Sequence, residues 1–379
     1  MSRKQEKFAA AVSQHPEAAV AVAEVVGQSL DQTGHSPELA LLFASGAHGI
    51  QMSQIAKTIQ NTLNPTVLIG CRAGSTLVHR QEIEDGPSVV LWTARISSAQ
   101  PLRLLEPELP DDLEEGSAVV LMADPFSFDA STFVTTIDPS ITLVGGLASA
   151  ASHRDGNQLL LDDRKFTDGA VAVVLPPDIG AKALVATGCR PVGDPMVVTN
   201  AEGPLVRHLA GRPAIERLGD LLDSADTETA DRIRRGLHLG VVIDEHQDNF
   251  EAGDFLIRPI VGADQSSGAL AVGATLPVGT TVQFQVRDAA AASADLASRL
   301  TGLSAAAAVA FTCNGRGSNL FEVAGHDAEQ LVDGLGTNAV AGMSCAGELG
   351  PVGSEHHLHG FTNSVLLFDT VAEPAETGV

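Results

Sequence analysis

Short apolar segments bounded by glycine, proline or polar residues recur along the chain and predict β-strands. Helical periodicity occurs between some of them, at Pro16–Leu30, Leu205–Leu222, Asp288–Leu300 and Asp327–Leu335. The pattern therefore predicts an α+β fold. The predicted strands are Leu39–Phe43, Thr66–Ile69, Ser88–Ile96, Ala118–Met122, Thr142–Val144, Ala170–Leu175, Ala183–Thr187, Leu237–Ile243, Phe255–Ile257, Gly268–Val272, Thr281–Arg287, Ala306–Thr312, Ala339–Gly342 and Asn363–Asp369.

An internal repeat organises these elements. Leu41–Gly49 ends a strand in a glycine turn, and Val309–Gly317 does the same, with Phe43 aligned to Phe311. A helix precedes each strand, and each turn leads to a helical stretch, a short strand, a second turn, a polar hairpin and another strand. A weaker third copy is predicted between Val119 and Val174. We expect mixed sheets built from a repeated α-β-α-β-β unit, with two halves packed together.

The middle of the chain differs from both copies and contains a charged segment, Asp223–Arg235, which is typical of a solvated helix face or of a linker. The boundary between the halves is expected near 218–236. Residues 1–15 and the segment after Asp369 are expected to be flexible. The predicted parts are an N-terminal extension with the first helix (1–34), an N-terminal part (35–218), a C-terminal part (219–366) and a flexible tail (367–379).

Charge and composition argue against several classes of function. A net charge of −24 in 379 residues repels nucleic-acid phosphates and anionic lipid. No sustained apolar run of bilayer length and no signal peptide is evident. The cysteines, Cys71, Cys189, Cys313 and Cys345, form no CxxC pair, so neither a zinc ribbon nor a disulfide framework is expected. These features predict a cytoplasmic protein that binds neither nucleic acid nor membrane.

Glycine turns at strand ends can direct backbone N–H groups into a shared concavity, which suits a small polar ligand. In the later copy, Arg316 supplies a guanidinium matched to a carboxylate, while Asn314 and Glu348 could contact an amine. We expect the two sets of turns to face one cleft. The candidate ligand-binding residues are Asn314, Gly315, Arg316, Gly317, Gly347 and Glu348 in the later copy and Gly46, His48, Gly49, Arg72 and Gly74 in the earlier one.

Other chemistries remain as alternatives. No cofactor is predicted, but a haem iron could be reached by His48 or His359 as axial ligand. Neither a GxSxG motif nor another catalytic set is present, and an enzyme would depend on the Cys313–Cys345 region or on the histidines at 356–359. A scaffolding role through oligomerisation is a further alternative.

In combination, these motifs resemble the FIST family. Cys313–Gly317, Gly347–Gly353 and Leu358–Thr362 look like the FIST C-terminal signature, as do the stretches at 255–260 and 277–279. Gly70–Gly74 and Gly145–Ala148 resemble the FIST N-terminal part. The ordered combination covers about residues 35–366.

The resemblance implies an intracellular sensory module for a small ligand, with amino acids a proposed class; some family members are described as haem-binding nitric-oxide sensors. No kinase, cyclase, methyl-accepting or DNA-binding segment is evident in this sequence. We therefore expect a stand-alone sensory module that binds an amino-acid-like or carboxylate ligand and signals through a partner protein or a homo-oligomer. The resemblance supplies no set of ligand contacts, so the candidate residues come from the turn chemistry.

Overall fold

A computed structural model describes residues 6–247 and 249–369. The helices in this part are α1 (Ala18–Thr33), α2 (Met52–Leu63), α3 (Ala130–Thr136), α4 (Ala214–Ser224), α5 (Thr227–Arg235), α6 (Ala289–Leu300) and α7 (His326–Leu335). None of them has the length and apolar character that a bilayer span requires. The strands are β1 (Phe8–Ser13), β2 (Leu39–Ser45), β3 (Val67–Ala73), β4 (Thr76–Val78), β5 (Gln81–Ile83), β6 (Val89–Ala94), β7 (Gln100–Leu104), β8 (Ala118–Ala123), β9 (Thr142–Leu147), β10 (Leu159–Leu161), β11 (Arg164–Phe166), β12 (Ala170–Leu175), β13 (Ala181–Ala186), β14 (Cys189–Glu202), β15 (Leu205–Leu209), β16 (Arg212–Pro213), β17 (Leu237–Val242), β18 (Phe255–Asp264), β19 (Ala269–Val272), β20 (Thr281–Arg287), β21 (Ala307–Cys313), β22 (Val340–Cys345), β23 (Glu348–Val352), β24 (Glu355–His359) and β25 (Asn363–Phe368).

One strand–helix–strand unit, followed by a hairpin and a closing strand, occurs three times. The first repeat comprises β2, α2 and β3–β6; the second comprises β8, α3 and β9–β12; the third comprises β21, α7 and β22–β25. In each repeat the first two strands pair in parallel and the closing strand pairs antiparallel with the first. The α+β class is confirmed, and the weaker third copy is present between the other two. A helix precedes the first and third repeats, as predicted.

The three repeats exchange their hairpins. The β4–β5 hairpin of the first repeat pairs with β22 of the third, β10–β11 of the second pairs with β3 of the first, and β23–β24 of the third pairs with β9 of the second. Each repeat therefore builds a six-stranded sheet that begins with a preceding edge strand (β1, β7 or β13) and ends with a hairpin from another repeat. The exchange brings residues far apart in sequence to the end of each parallel strand pair.

One hydrophobic core joins the inner faces of the three sheets, and α1 and α2 cover the outer face of the first. Because both faces are covered, the strands are continuous apolar runs rather than alternating ones. At the centre, Phe43 and Phe311 pack edge to face with ring centroids 6.2 Å apart. A Cβ atom at Gly146 would lie 2.2 Å from Cys345 Sγ, so glycine is required where the repeats meet.

The described residues form two compact units, and the larger one contains all three repeats. It takes in the chain up to Val185, Leu296–Leu358 and the residues from Thr362 onward. The smaller unit comprises Ala186–Asp295 and His359–Phe361. This division follows the repeats, whereas the boundary expected near 218–236 lies inside the smaller unit.

Strands of the smaller unit form a closed ring of six antiparallel strands in the order β14, β20, β17, β18, β19 and β15. Leu239, Val282 and Phe284 contribute to its buried interior. Asp226 caps α5 by accepting a hydrogen bond from the Thr229 N–H at 2.7 Å, which confirms a helix in the charged segment.

Two sequence-based expectations need correction. The first concerns residues 1–15: Phe8–Ser13 is a strand paired with β6, and the Phe8 ring lies 5.6 Å from the Trp92 ring. The second concerns the helical periodicity at Leu205–Leu222: Leu205–Leu209 is a strand that pairs with β14 and β19, and the helix begins only at Ala214. Leu205–Leu209 forms a strand because it pairs with β14 and β19, and this pairing is not visible in the local sequence pattern. The tail expected to be flexible after Asp369 lies outside the described residues.

Candidate functional site

A cleft of about 290 Å³ opens at the carboxyl ends of β21 and β22 in the larger unit. The third repeat supplies the turn after β21, and the first repeat supplies the β4–β5 hairpin that extends β22. Carboxyl ends of parallel strands are a common position for ligand sites in α/β proteins. The lining residues discussed below are Gly74, Ser75, Glu82, Glu84, Ser149, Cys313, Asn314, Arg316, Gly317, Asn319 and Ser344.

Arg316 lies at the inner wall of the cleft in a bidentate ion pair with Asp327. Its Nε lies 2.6 Å from Asp327 Oδ2 and its Nη2 lies 2.8 Å from Oδ1, with both side chains buried. Burial alone would raise the pKa of Asp327, but the charge and hydrogen bonds of Arg316 outweigh it and hold this pKa below its ordinary value. The positive charge expected to anchor a ligand carboxylate is therefore balanced within the protein.

Two carboxylates from the β4–β5 hairpin and the residue after it face the same space. Glu82 Oε1 accepts hydrogen bonds from the N–H groups of Asp327 and Ala328, at 3.1 and 3.2 Å, in the first turn of α7. Burial, together with the nearby Asp327, raises the pKa of Glu82. Glu84 Oε1 accepts from the Ser318 N–H at 2.7 Å. With Arg316 already balanced by Asp327, Glu84 and the ionised fraction of Glu82 give the cleft an excess of negative charge.

The remaining wall is made of hydroxyl, amide and backbone groups from all three repeats. The Gly74 N–H donates to Ser149 Oγ at 2.9 Å, and the Ser75 N–H donates to Ser344 Oγ at 3.0 Å. Asn319 Nδ2 donates to the Asn314 carbonyl oxygen at 2.9 Å. These polar groups can exchange hydrogen bonds with a small ligand.

Glu348 lies behind the cleft rather than on its surface. It is fully buried at the start of β23, where its Oε2 accepts from the Thr362 N–H at 3.2 Å and from Thr362 Oγ1 at 2.8 Å. Burial raises the pKa of Glu348 to about 8, although Thr362 and, more weakly, Cys313 and Arg316 oppose the shift. In this position Glu348 does not line the cleft, and it adjoins Cys313, which does.

The corresponding turns of the other two repeats are closed by the protein's own side chains. After β2, Arg72 donates from Nη1 to the Gly156 carbonyl and from Nη2 to the Gly46 carbonyl, both at 3.1 Å. After β8, Asp124 accepts from Asn157 Nδ2 at 3.1 Å and from Ser127 Oγ at 2.7 Å. In the third repeat, the turn after β21 borders the cleft.

Comparison with known proteins identifies the chain. The model of the FIST N domain matches residues 38–212, and the model of the FIST C domain matches residues 214–351. Together they span most of the sequence. The chain belongs to the FIST family.

Relatives of similar length occur in mycobacteria. Uncharacterized protein Mb0898c of Mycobacterium bovis is 37% identical over 379 residues, which cover 93% of this chain and 96% of the relative. Uncharacterized protein Rv0628c of Mycobacterium tuberculosis is 37% identical over 384 residues, which cover 94% of this chain and 98% of the relative. The similarity therefore extends over almost the whole length of both chains.

Both FIST domains contribute to the cleft. The FIST N domain supplies the β4–β5 hairpin, Gly74 and Ser149, whereas the FIST C domain supplies Asn314, Arg316 and Gly317. The two family models meet just before α4, near the predicted boundary. The cleft nevertheless lies wholly within the larger compact unit, because the third repeat returns to the first two.

Only part of the predicted FIST residue set reaches the cleft. Gly74, Asn314, Arg316 and Gly317 line it, as expected. The first glycine turn does not, because Arg72 closes it. The acidic pair Glu82 and Glu84 and the serines at 149 and 344 were missed, and no local motif marks them, since the hairpin exchange brings them together. The predicted residues outside the cleft lining are Gly46, His48, Gly49, Arg72, Gly315, Gly347 and Glu348.

The two candidate axial histidines lie elsewhere. His48 is buried in the turn after β2, where burial lowers its pKa, and His359 is buried at the end of β24. Neither lines the cleft, whose walls are polar rather than the apolar slot that haem requires. Within residues 6–247 and 249–369, no three His, Cys, Asp or Glu side chains are grouped to hold a metal ion.

Proposed function

We propose that this FIST protein is a sensory module that binds a small amine-bearing molecule of amino-acid size in the cleft at the ends of β21 and β22. The ammonium group would lie between Glu82 and Glu84, and the rest of the ligand would contact the amide and hydroxyl groups of the opposite wall. The observation that carries the proposal is the acid-lined opening at the turn after β21. The corresponding turns of the other two repeats are closed by side chains of the protein itself.

Charge favours an ammonium over an isolated carboxylate. Arg316 is the guanidinium in the cleft lining, and Asp327 already binds two of its nitrogens. A ligand carboxylate would therefore meet Glu82 and Glu84 without a free positive charge. An ammonium would instead gain charge-assisted hydrogen bonds, which are about twice as strong as neutral ones.

Size favours a ligand no larger than an amino acid. The cleft volume of about 290 Å³ lies just below the range, roughly 300–1,000 Å³, of pockets that hold drug-sized molecules. Because the first and third repeats both line the cleft, a bound ligand would link them. Their relative position is thus the property that a partner protein or a second copy would read.

Isothermal titration calorimetry with a panel of amino acids, and with 2-hydroxy acids that lack only the ammonium group, tests this proposal. We expect at least one amino acid to bind and its hydroxy-acid analogue to bind about tenfold more weakly or worse. Glu84→Gln should weaken amino-acid binding by a similar factor, whereas Glu106→Gln, on the exposed surface, should leave it unchanged. Equal affinity for the two ligand classes, or full affinity in Glu84→Gln, would overturn the proposal.

A further inference from the structure

A thiol in the wall of the cleft adjoins a carboxyl group that is buried behind the wall. Cys313 ends β21, is half-buried and lines the cleft. Glu348, at the start of β23, uses Oε2 to accept both hydrogen bonds from Thr362. Its Oε1 is buried and accepts no hydrogen bond from the described residues. A buried carboxyl oxygen without a hydrogen-bond partner is costly, so this arrangement calls for a chemical reason.

The surroundings of the Cys313 sulfur favour negative charge. The Gly315 N–H points at Sγ from 3.4 Å, and the Arg316 guanidinium is close enough for its own pKa to be raised by Cys313. Asp327 holds the guanidinium through two hydrogen bonds. A nearby Arg and a backbone N–H are features that stabilise a thiolate and increase the reactivity of a cysteine.

We propose that Cys313 and Glu348 form a nucleophilic dyad, in which the ionised Glu348 carboxylate takes the thiol proton and Cys313 Sγ attacks an electrophilic carbon of a molecule in the cleft. The Sγ–carbon bond forms while the bond from that carbon to its leaving group breaks. The leaving group departs with the electron pair of that bond. The thiol proton ends on the Glu348 carboxylate, which becomes a neutral carboxyl group, and no oxidant or metal takes part.

Charged and titratable groups from several elements face the dyad. Cys345 of β22 is in register with Cys313 and adjoins Glu348, and Arg316 faces both members of the dyad. Glu82 and Asp327 act on the dyad through Arg316. Burial raises the pKa of the Cys345 thiol and that of the Cys71 thiol, so neither competes as a nucleophile.

Labelling with iodoacetamide, a small neutral electrophile, tests the dyad in the full-length protein. Peptide mass mapping of the native protein should place the adduct on Cys313, while Cys71, Cys189 and Cys345 react only after unfolding, because they are buried. Since iodoacetamide carries no ammonium group, the result does not depend on the proposed amine ligand. Labelling that spares Cys313, or that distributes evenly over the four cysteines, would overturn the proposal.

Labelling rate constants measured from pH 6 to pH 10 show whether the Glu348 carboxyl group takes the Cys313 proton or has only a structural role. In the wild type, the base becomes available as Glu348 ionises, so the labelling rate should rise toward about pH 8 and level off above it. Glu348→Gln cannot take up the thiol proton. It should label at the wild-type rate near pH 6.5, where Glu348 still holds its own proton, and about fivefold or more slowly than the wild type at pH 9. Identical pH profiles for the two proteins would overturn the dyad.

A second pair of variants keeps the test informative if Glu348→Gln does not fold. Thr362→Val removes the hydroxyl that donates to Glu348 Oε2, whereas Thr362→Ser retains it. Loss of this donor destabilises the ionised carboxylate, so levelling of the labelling rate should move to higher pH in Thr362→Val and stay in place in Thr362→Ser. If the labelling rate of Thr362→Val levels off at the same pH as that of the wild type, the role given to Glu348 is contradicted.

Discussion

Arg316 and Asp327 form a bidentate ion pair whose two side chains are both fully buried, with Arg316 Nε 2.6 Å from Asp327 Oδ2. The pair joins the turn after β21 to the first turn of α7, and the same turn borders the cleft. Because removal of either partner leaves a charge in a low-dielectric interior, the pair fixes the shape of this wall. Arg316 thereby holds the cleft wall in place, and its charge is paired with Asp327 rather than with a ligand.

Breaking this buried pair should be strongly destabilising. We expect Asp327→Asn to lower the free energy of unfolding by about 3–5 kcal/mol, because the Arg316 charge would remain buried without its counterion. Urea unfolding at pH 7 measures the change. Arg80→Ala, which breaks the exposed pair between Arg80 and Asp333, should change the free energy of unfolding much less, because water screens an exposed pair. Similar losses for the buried and the exposed pair would contradict this assignment.

The titration of Glu348 should make stability depend on pH. Its pKa is about 8 in the native state and near the ordinary carboxyl value in the unfolded chain. The native state therefore retains a proton that the unfolded chain has already lost, and the stability from this group is complete at low pH and lost as the pH rises toward 8. Between pH 5 and pH 9, the wild type should lose on the order of 3–5 kcal/mol relative to Glu348→Gln. Parallel stability curves for the two proteins would refute the raised pKa.

Close packing at Gly146 should not tolerate a side chain. In Gly146→Ala the new Cβ would overlap Cys345 Sγ and approach the Phe311 ring, so we expect a loss of about 1–3 kcal/mol in the free energy of unfolding. Gly27, in the middle of α1, provides the matched control, because nothing lies within 4 Å of an added Cβ. Gly27→Ala should stabilise the protein by about 0.5–1 kcal/mol. Thermal unfolding of the two variants should shift the midpoint in opposite directions.

Arg72 should behave as an internal ligand of the first repeat. Arg72→Ala removes the donors to the Gly46 and Gly156 carbonyls and leaves a space beside Gly49, which should cost about 2–3 kcal/mol. Millimolar methylguanidinium should restore part of the lost thermal stability by occupying that space. Arg154 is exposed and serves as the control, so Arg154→Ala should neither lower the stability nor respond to methylguanidinium. No rescue in Arg72→Ala would mean that the turn has collapsed around the missing side chain.

Local patterns predicted 14 of the 25 strands in the part of the chain that the structure describes. Thr281–Arg287 and Ala170–Leu175 form strands with the predicted bounds, and α6 begins one residue after Asp288, whose carboxylate caps it. In these segments the local sequence preference and the tertiary environment agree. The edge strand at Phe8–Ser13 was missed because its stability comes from pairing with β6, more than seventy residues later in the chain.

The sequence by itself determined the α+β class, the repeat and the family, because strand hydrophobicity, glycine turns and ordered motifs are local properties that the chain carries in any conformation. Only the tertiary structure decided how the site is assembled. Whether Arg316 is free or paired depends on Asp327, and whether the cleft is acidic depends on Glu82 and Glu84 from a hairpin of another repeat. Ion pairing and burial depend on distances between residues far apart in sequence, and the exchange of hairpins sets those distances.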